Sequence, residues 1–461
     1  MRQTYVLFNP YDDYSAHVID LVYHKYGLRP VCVYTDRKNA FYVRPAYPVL
    51  QSDRIEAEFL VDPGALGDLA AELRRKYDVL GVMPILEHWV EPAGRLSDLL
   101  HLDWMPGETV ARFRDKHAWK QHLRRHAPHL RVPETTSVRT PEEVLAPTGP
   151  AARIRELGDR FVLKPSDGMA AVDVAIFPSS ISPGEVSAHM ARSTGKAWAM
   201  EEFVGGRELA VNGQVGPDGT GIVHSITEYS RLEVNGRATV CEKDYKVDQT
   251  DPVFEPLARY ALEVVRTLGL RRSPFHLEAK LDDQGPCAID VGARLVGNGA
   301  AFVLSTLHPR RPCLFDAAAH GYLFSDRYGL DEPVDWSWYN GHGYVCVIGV
   351  SERDELITSI EGVEEVEALP QFLRWELKPH VGQRVRPTLD LFSIPWDVDL
   401  VGKGSTQDLL RVADDVRGMI RWNRGRRTPS AVLRAHGRRI AERVRPRLRW
   451  MAHETLRVLQ P

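Results

Sequence analysis

The chain has 461 residues, 43% hydrophobic and 26% charged, with a net charge of −3. That is the make-up of an ordinary globular protein of roughly two to four domains with ample core. Five cysteines with no CxxC pair argue against a disulfide framework or a zinc site and for reduced thiols in the cytoplasm. The first residues lack a basic-then-apolar signal pattern, and no apolar run is long enough to span a membrane.

Residues 1–105 read as α/β. Thr4 to Phe8 is a short apolar strand, Tyr14 to Tyr26 a helix, and Val31 to Tyr34 a second strand. Ala65 to Lys76 is helical and Val79 to Met83 is another buried strand, so the alternation predicts a parallel sheet covered by helices. No GxGxxG follows the first strand, so a dinucleotide site is not indicated. Pro84-Ile85-Leu86-Glu87-His88-Trp89 follows the last strand, at the end where such sheets bind ligands. Glu87 is there either a ligand contact or an acid favoured by a helix dipole.

Asp103 to Pro106 reads as a domain boundary, followed by one helix from Thr109 to Arg125 containing Lys116. A lone helical lysine is usually solvated. Lysine is scarce, however, at 12 of 59 basic residues, so a lysine in a suggestive place carries more weight here. Arg131 to Pro133 starts an extended segment, and Thr140 to Pro150 connects through a short helical piece. In FVLKPSDG, Lys164 lies on an otherwise apolar strand, where a bare ammonium must find an anion or solvent. Ser166 to Ala171 is a small-residue turn that lets backbone N–H groups approach phosphates, with a strand from Val172 to Phe177 after it. Trp198 to Val204 runs extended, breaks at Gly205-Gly206 and resumes. Gly221 to Ser230 is a strand, and Arg231 to Val247 reads as a mobile loop. Asp251-Pro252 caps a helix from Val253 to Leu268.

Phe275 to Val291 reads as a hairpin with Asp282-Asp283-Gln284-Gly285 as its turn. Centred near Gln284, it sets Glu278 opposite Asp290 and puts His276, Glu278, Lys280 and Asp290 on one face. Two carboxylates opposed in this way repel unless a cation lies between them. Two carboxylates completed by water and phosphate oxygens suit Mg²⁺, and the pattern fits equally an exposed hairpin whose acids merely face water. Arg294 follows, then a Gly297-Asn298-Gly299 loop and a short helical stretch near Ala301. From about Asn340 the pattern is β-rich: Gly343 to Val350, Val363 to Leu369, Phe372 to Lys378 and Leu391 to Ile394. Ser405 to Arg421 is an amphipathic helix, and the tail from Arg424 to Pro461 carries eleven arginines against Glu442 and Glu454. No Ser-His-Asp triad or zinc cluster is found.

Glu278, an acid twelve positions on, and an arginine four beyond that resemble the metal-binding hairpin of the ATP-grasp superfamily. The resemblance covers roughly residues 1–420. It implies an ATP-grasp fold of α/β and α+β class, divided as an N-terminal parallel-sheet domain (1–105), a nucleotide-binding catalytic region (106–335), a small β-rich C-terminal domain (336–423) and an Arg-rich tail (424–461). It also implies ATP and Mg²⁺, with Mn²⁺ as a substitute. Lys116, Lys164, Ser166 and Gly168 would hold the phosphates. Glu201 or Glu202 would offer adenine a backbone C=O, Val204 an N–H, and Glu208 would bind ribose. Glu278 and Asp290 would ligate the metal, and Arg294 would hold an acyl-phosphate. Glu87, with Glu91 as its substitute, would meet a substrate ammonium, and His276 and Asn298 would line the substrate site. Where many relatives carry asparagine, this chain has Gly292, so one side-chain metal ligand is missing.

These expectations describe a cytoplasmic ligase joining a small carboxylate to an amine through an acyl-phosphate, similar to bacterial L-amino-acid ligases. Its rivals are a ligase for a peptide or an acidic carrier protein held by the basic tail, a biotin-carboxylase-like carboxylase, and a non-catalytic nucleotide-binding module. A homodimer is compatible with the pattern, and a nucleic-acid partner is not expected.

Overall fold

The apolar runs and amphipathic helices of the first hundred residues build a four-stranded parallel sheet in the order Ala57–Leu60, Arg29–Tyr34, Arg2–Phe8, Tyr77–Met83. The computed structural model describes residues 1–10, 13–35, 52–193, 197–297, 300–307, 313–331 and 334–423. Helix Leu66–Lys76 buries Leu66, Leu69, Ala70 and Leu73 at helical spacing. Each such leucine, fully buried, contributes about 1.5–3 kcal/mol.

A second, antiparallel sheet runs Thr135–Val138, Trp198–Glu202, Arg160–Pro165, Ala175–Pro178. Its own core is built on Phe161, Leu163, Trp198, Met200 and Val186.

The third sheet is the largest. Its eight strands run in the order Gly285–Gly292, Ser273–Asp282, Arg207–Val215, Gly221–Val234, Arg237–Lys246, His342–Ile348, Asp397–Lys403, Phe372–Leu377. Helix Phe254–Thr267 packs beneath it through Phe254, Leu257, Ala261, Val264 and Val265. The Tyr260 hydroxyl of that helix accepts from Ala288 N–H (2.8 Å) and donates to the Arg131 carbonyl, which fixes the hairpin strand from below. The sheet runs across the boundary expected near residue 336, because Lys243, Asp244 and Tyr245 pair with Val347, Cys346 and Val345. A separate apolar cluster of Val347, Val398, Leu400, Leu409 and Val416 lies at that end.

Several local expectations are corrected. The helix predicted from Thr109 to Arg125 is two helices, Gly107–Arg114 and Lys116–His126. Asp115 breaks the run because it caps the second helix, its side chain accepting from His117 N–H and Ala118 N–H. Arg231 to Val247 is not a loop but the end of one strand and the whole of the next in a long hairpin, with Arg231 and Asp244 facing a cavity and Glu242, Lys243 and Lys246 in ion pairs. Val363 to Leu369 contains helix Val363–Glu367, whose Val366 alone is buried, and Leu391 to Ile394 is a turn. The strand after the phosphate-loop segment starts only at Ala175. Strand Asp397–Lys403 was not foreseen, since Asp397 and Asp399 disguise a strand whose first four residues are buried.

Candidate active site

A cavity of about 770 Å³ lies between the second and third sheets, bordered also by Ile85 to His88 in the loop that follows the parallel sheet. Most of the side chains singled out from the sequence line it: Glu87, Lys116, Lys164, Gly168, Glu201, Glu202, Val204, Glu208, His276, Glu278, Asp290 and Arg294. Ser166 is buried behind it, its carbonyl accepting from Lys116 N–H (3.0 Å). Glu91 instead pairs with Arg95 on an exposed helix face. Asn298 and the Arg-rich tail lie outside the described residues.

Glu278 pairs with Asp290 across the hairpin, as the alternation predicts. The turn is one residue tighter than expected, with Asp282 paired to Gly285, and a β-bulge between Glu278 and Ala279 restores the register. Asp290 lies 3.2 Å from Lys116 Nζ. Burial alone would push its carboxyl up, but Lys116 and Lys164 hold it well below the usual range, so it is ionised. The Nε2 of His276 is 3.5 Å from Glu278, and its Nδ1 is 2.8 Å from Asn212 Oδ1. Among the described residues no three His, Cys, Asp or Glu side chains group as a metal site. Two facing carboxylates without a third protein ligand fit a hard cation that takes its remaining oxygens from water and phosphate, which is how Mg²⁺ is usually held.

The lysines gather beside the hairpin acids. Lys116 Nζ donates to the Gly168 carbonyl (2.8 Å). Lys164 Nζ is 2.9 Å from Glu201 Oε2 and donates to the Ile289 carbonyl at 2.9 Å. Burial opposes the charge on Lys164, yet Glu201 and Asp290 raise its pKa above the ordinary value. Lys120, not foreseen, is fully buried and donates to Glu201 Oε1 (2.8 Å) and to the Ile289 carbonyl (3.1 Å). Burial pulls its pKa down to about 7 despite Glu201. Glu201 thus bridges two lysines through its side chain, a role distinct from the backbone contact expected of it. The signal for Lys120 was available: it lies one helical turn after Lys116 in a lysine-poor chain.

The extended segment ending at Glu202 borders the cavity, and Phe203 stacks under the Arg160 guanidinium at 4.0 Å. Gly206 has φ +91°, and a Cβ there would stand 2.1 Å from the Leu281 carbonyl, so this break tolerates only glycine. Glu208 is held by Arg231 and by Lys280 (2.7 Å). Burial works against its charge, but these two cations bring its pKa down to about 2. The turn between Pro165 and Ala175 has Ala170, Ala171 and Asp173 at φ of 54°, 58° and 56°, the left-handed region normally given to glycine.

Glu87 lines the cavity, but both its oxygens accept from guanidinium groups: Oε1 from Arg114 (2.8 Å) and Oε2 from Arg294. Burial would raise its pKa, and Arg294 and Arg114 lower it below the ordinary value. Arg114 was not foreseen, because a lone arginine ending a helix has no sequence signature.

A parallel N-terminal sheet followed by two antiparallel sheets with a cavity between them, lined by the Glu278–Asp290 hairpin and by lysines from two other elements, is the ATP-grasp fold, and this chain has it. It is similar in structure to an L-amino acid ligase from Bacillus licheniformis, with TM-score 0.68 and 16% identity over 92% of this chain and 99% of that one. Other structures similar to it include complexes with ADP and with MgADP. In sequence it is 28% identical over 171 residues to dapdiamide A synthase of Enterobacter agglomerans, a match covering 35% of this chain and 39% of that protein. It is also 26% identical over 333 residues to the uncharacterized protein y4rH of Sinorhizobium fredii, covering 70% of this chain and 64% of that one. The chain thus spans less than two thirds of the length of either curated relative. No family model matches it.

Proposed function

We propose that the chain is an ATP-dependent ligase that joins a small carboxylate to an amine. The observation that carries this reading is the convergence in one cavity of Lys116 and Lys164 with the opposed Glu278 and Asp290. The names of the B. licheniformis and E. agglomerans proteins support the same class. In this reading ATP supplies the phosphoryl group that activates the carboxylate. Glu278 and Asp290 hold Mg²⁺, and Lys116 and Lys164 neutralise charge on the phosphates. Phosphoryl transfer asks a protein mainly for positioning and electrostatic stabilisation, which fixed cations in a partly dry cavity provide. Arg294 holds the activated carboxylate, and the backbone near Glu202 and Val204 reads the base. His276, tied to Asn212, faces the hairpin acids and borders the substrate side. The cavity is large enough for a nucleotide beside small substrates.

The test is phosphate release from Mg·ATP across pairs of amino-acid-like carboxylates and amines, with mass spectrometry of the product. An amide product with stoichiometric phosphate is expected. Phosphate release independent of any amine, or a carboxylated product, would overturn the reading.

A further inference from the structure

The Arg294 that would hold the activated carboxylate is itself held. Its Nε donates to Glu87 and its Nη1 to the Leu295 carbonyl (2.6 Å), while Nη2 has no hydrogen-bond partner among the described residues. Glu87 is turned toward it by Arg114, whose Nη1 donates to Oε1 (2.8 Å) and whose Nη2 donates to the carbonyl of Asp167 in the turn after Lys164. Arg114 and Glu87 are 8% and 5% exposed, so this is a nearly dry set of two guanidiniums and one carboxylate with one positive charge in excess. With Arg114 absent, Glu87 would neutralise Arg294 alone.

Gly292 completes the arrangement. Its φ is not in the left-handed region, so backbone freedom does not explain it. Space does: a Cβ at 292 would stand 2.8 Å from Glu87 Oε2 and 3.6 Å from Arg294 Cγ. The carboxylate fills the place where a side chain at 292 would begin.

We propose that Arg114 is a positioning residue that acts through Glu87 to orient Arg294 and leave it net charge for an anionic ligand, and that position 292 is glycine because Glu87 occupies its side-chain space. The proposal builds on the ligase reading for the identity of that anion, but the contact geometry stands without it.

A double-mutant cycle tests it, read as kcat/KM for the carboxylate substrate and, separately, as the Kd of a nucleotide analogue. Gly292→Ala is expected to lower kcat/KM about tenfold or more while nucleotide Kd moves less than about threefold. In a Glu87→Ala background the same substitution should add less than about twofold. Arg114→Met and Glu87→Ala should likewise fail to multiply. Where Arg114→Met yields no cooperative melt, Arg114→Lys takes its place, since it keeps the charge beside Glu87 but has no second N–H arm for Asp167. Full activity in Gly292→Ala, an undiminished Gly292→Ala penalty without Glu87, or multiplying Arg114 and Glu87 penalties would overturn the proposal. If the wild type turns over no substrate pair, the ligase reading fails by itself. The cycle is then read in Tm, where Gly292→Ala must destabilise the wild type and not Glu87→Ala.

Discussion

Glu278 and Asp290 stand opposite each other because a β-bulge beside Glu278 corrects the register that a tight turn at Asp283-Gln284 would otherwise set. A one-residue slip would turn one of the acids to the far face of the sheet.

That pairing predicts the effect of neutralising either acid. Glu278→Gln and Asp290→Asn should each abolish Mg·ATP-dependent turnover while the far-ultraviolet spectrum and melting stay cooperative. Each change removes charge that the cation needs. Wild-type turnover in either variant would remove the hairpin from the catalytic centre.

Lys164 has three N–H donors, of which Glu201 and the Ile289 carbonyl engage two, leaving one without a partner among the described residues. Lys164→Met should lower kcat by about 10²-fold or more if that donor stabilises developing phosphoryl charge. An unchanged kcat with reduced Tm would make the lysine a structural partner of Glu201.

Asp399 provides a pH test. It is buried on the eight-stranded sheet, and burial, then Asp397, raise its pKa to about 7, with Asp244 adding to the rise and Arg374 and Cys346 opposing it. The folded state therefore binds an extra proton between the ordinary carboxyl pKa and about 7, and this group's contribution to stability falls as pH rises through that window. Asp399→Asn should raise stability at pH 8 by up to about 4 kcal/mol and change it little near pH 3.5. Denaturant unfolding at the two pH values measures this. Equal shifts at both would reject the protonation account.

The left-handed turn offers a backbone test. Ala170 and Ala171 have positive φ, which costs a non-glycine residue about 1–2 kcal/mol. Glycine removes that cost and adds roughly 0.5–1 kcal/mol of unfolded-chain entropy. Ala171→Gly should therefore leave Tm level or higher, whereas Ala171→Val should lower it by several degrees. A marked Tm loss in the glycine variant would contradict the turn geometry.

The parts that could be read from sequence are those whose burial leaves a plain pattern. The parallel strands before Met83 follow from short apolar runs buried on both faces, and the Glu278–Asp290 pairing follows from alternation. Arg231 to Val247 was misread because Arg231 and Asp244 point into a cavity and Glu242, Lys243 and Lys246 are held in ion pairs, so polarity there does not mark a solvent-exposed loop. Val363 to Leu369 misled in another way, since a five-residue helix is too short to show its period. The Arg114–Glu87–Arg294 set was hidden for a third reason: its members lie 27 and 207 residues apart, and only the fold brings them together.

The pairing of Arg237–Lys246 with His342–Ile348 also limits how this chain can be rearranged. A chain ending after Asn340 would leave strand Arg237–Lys246 with a row of unpaired N–H and C=O groups, an edge open to other chains. The last eighty described residues are therefore a poor unit for gene fusion or domain exchange. Change in them is expected as substitutions on a fixed scaffold, and a truncated product as aggregate in place of a smaller working enzyme.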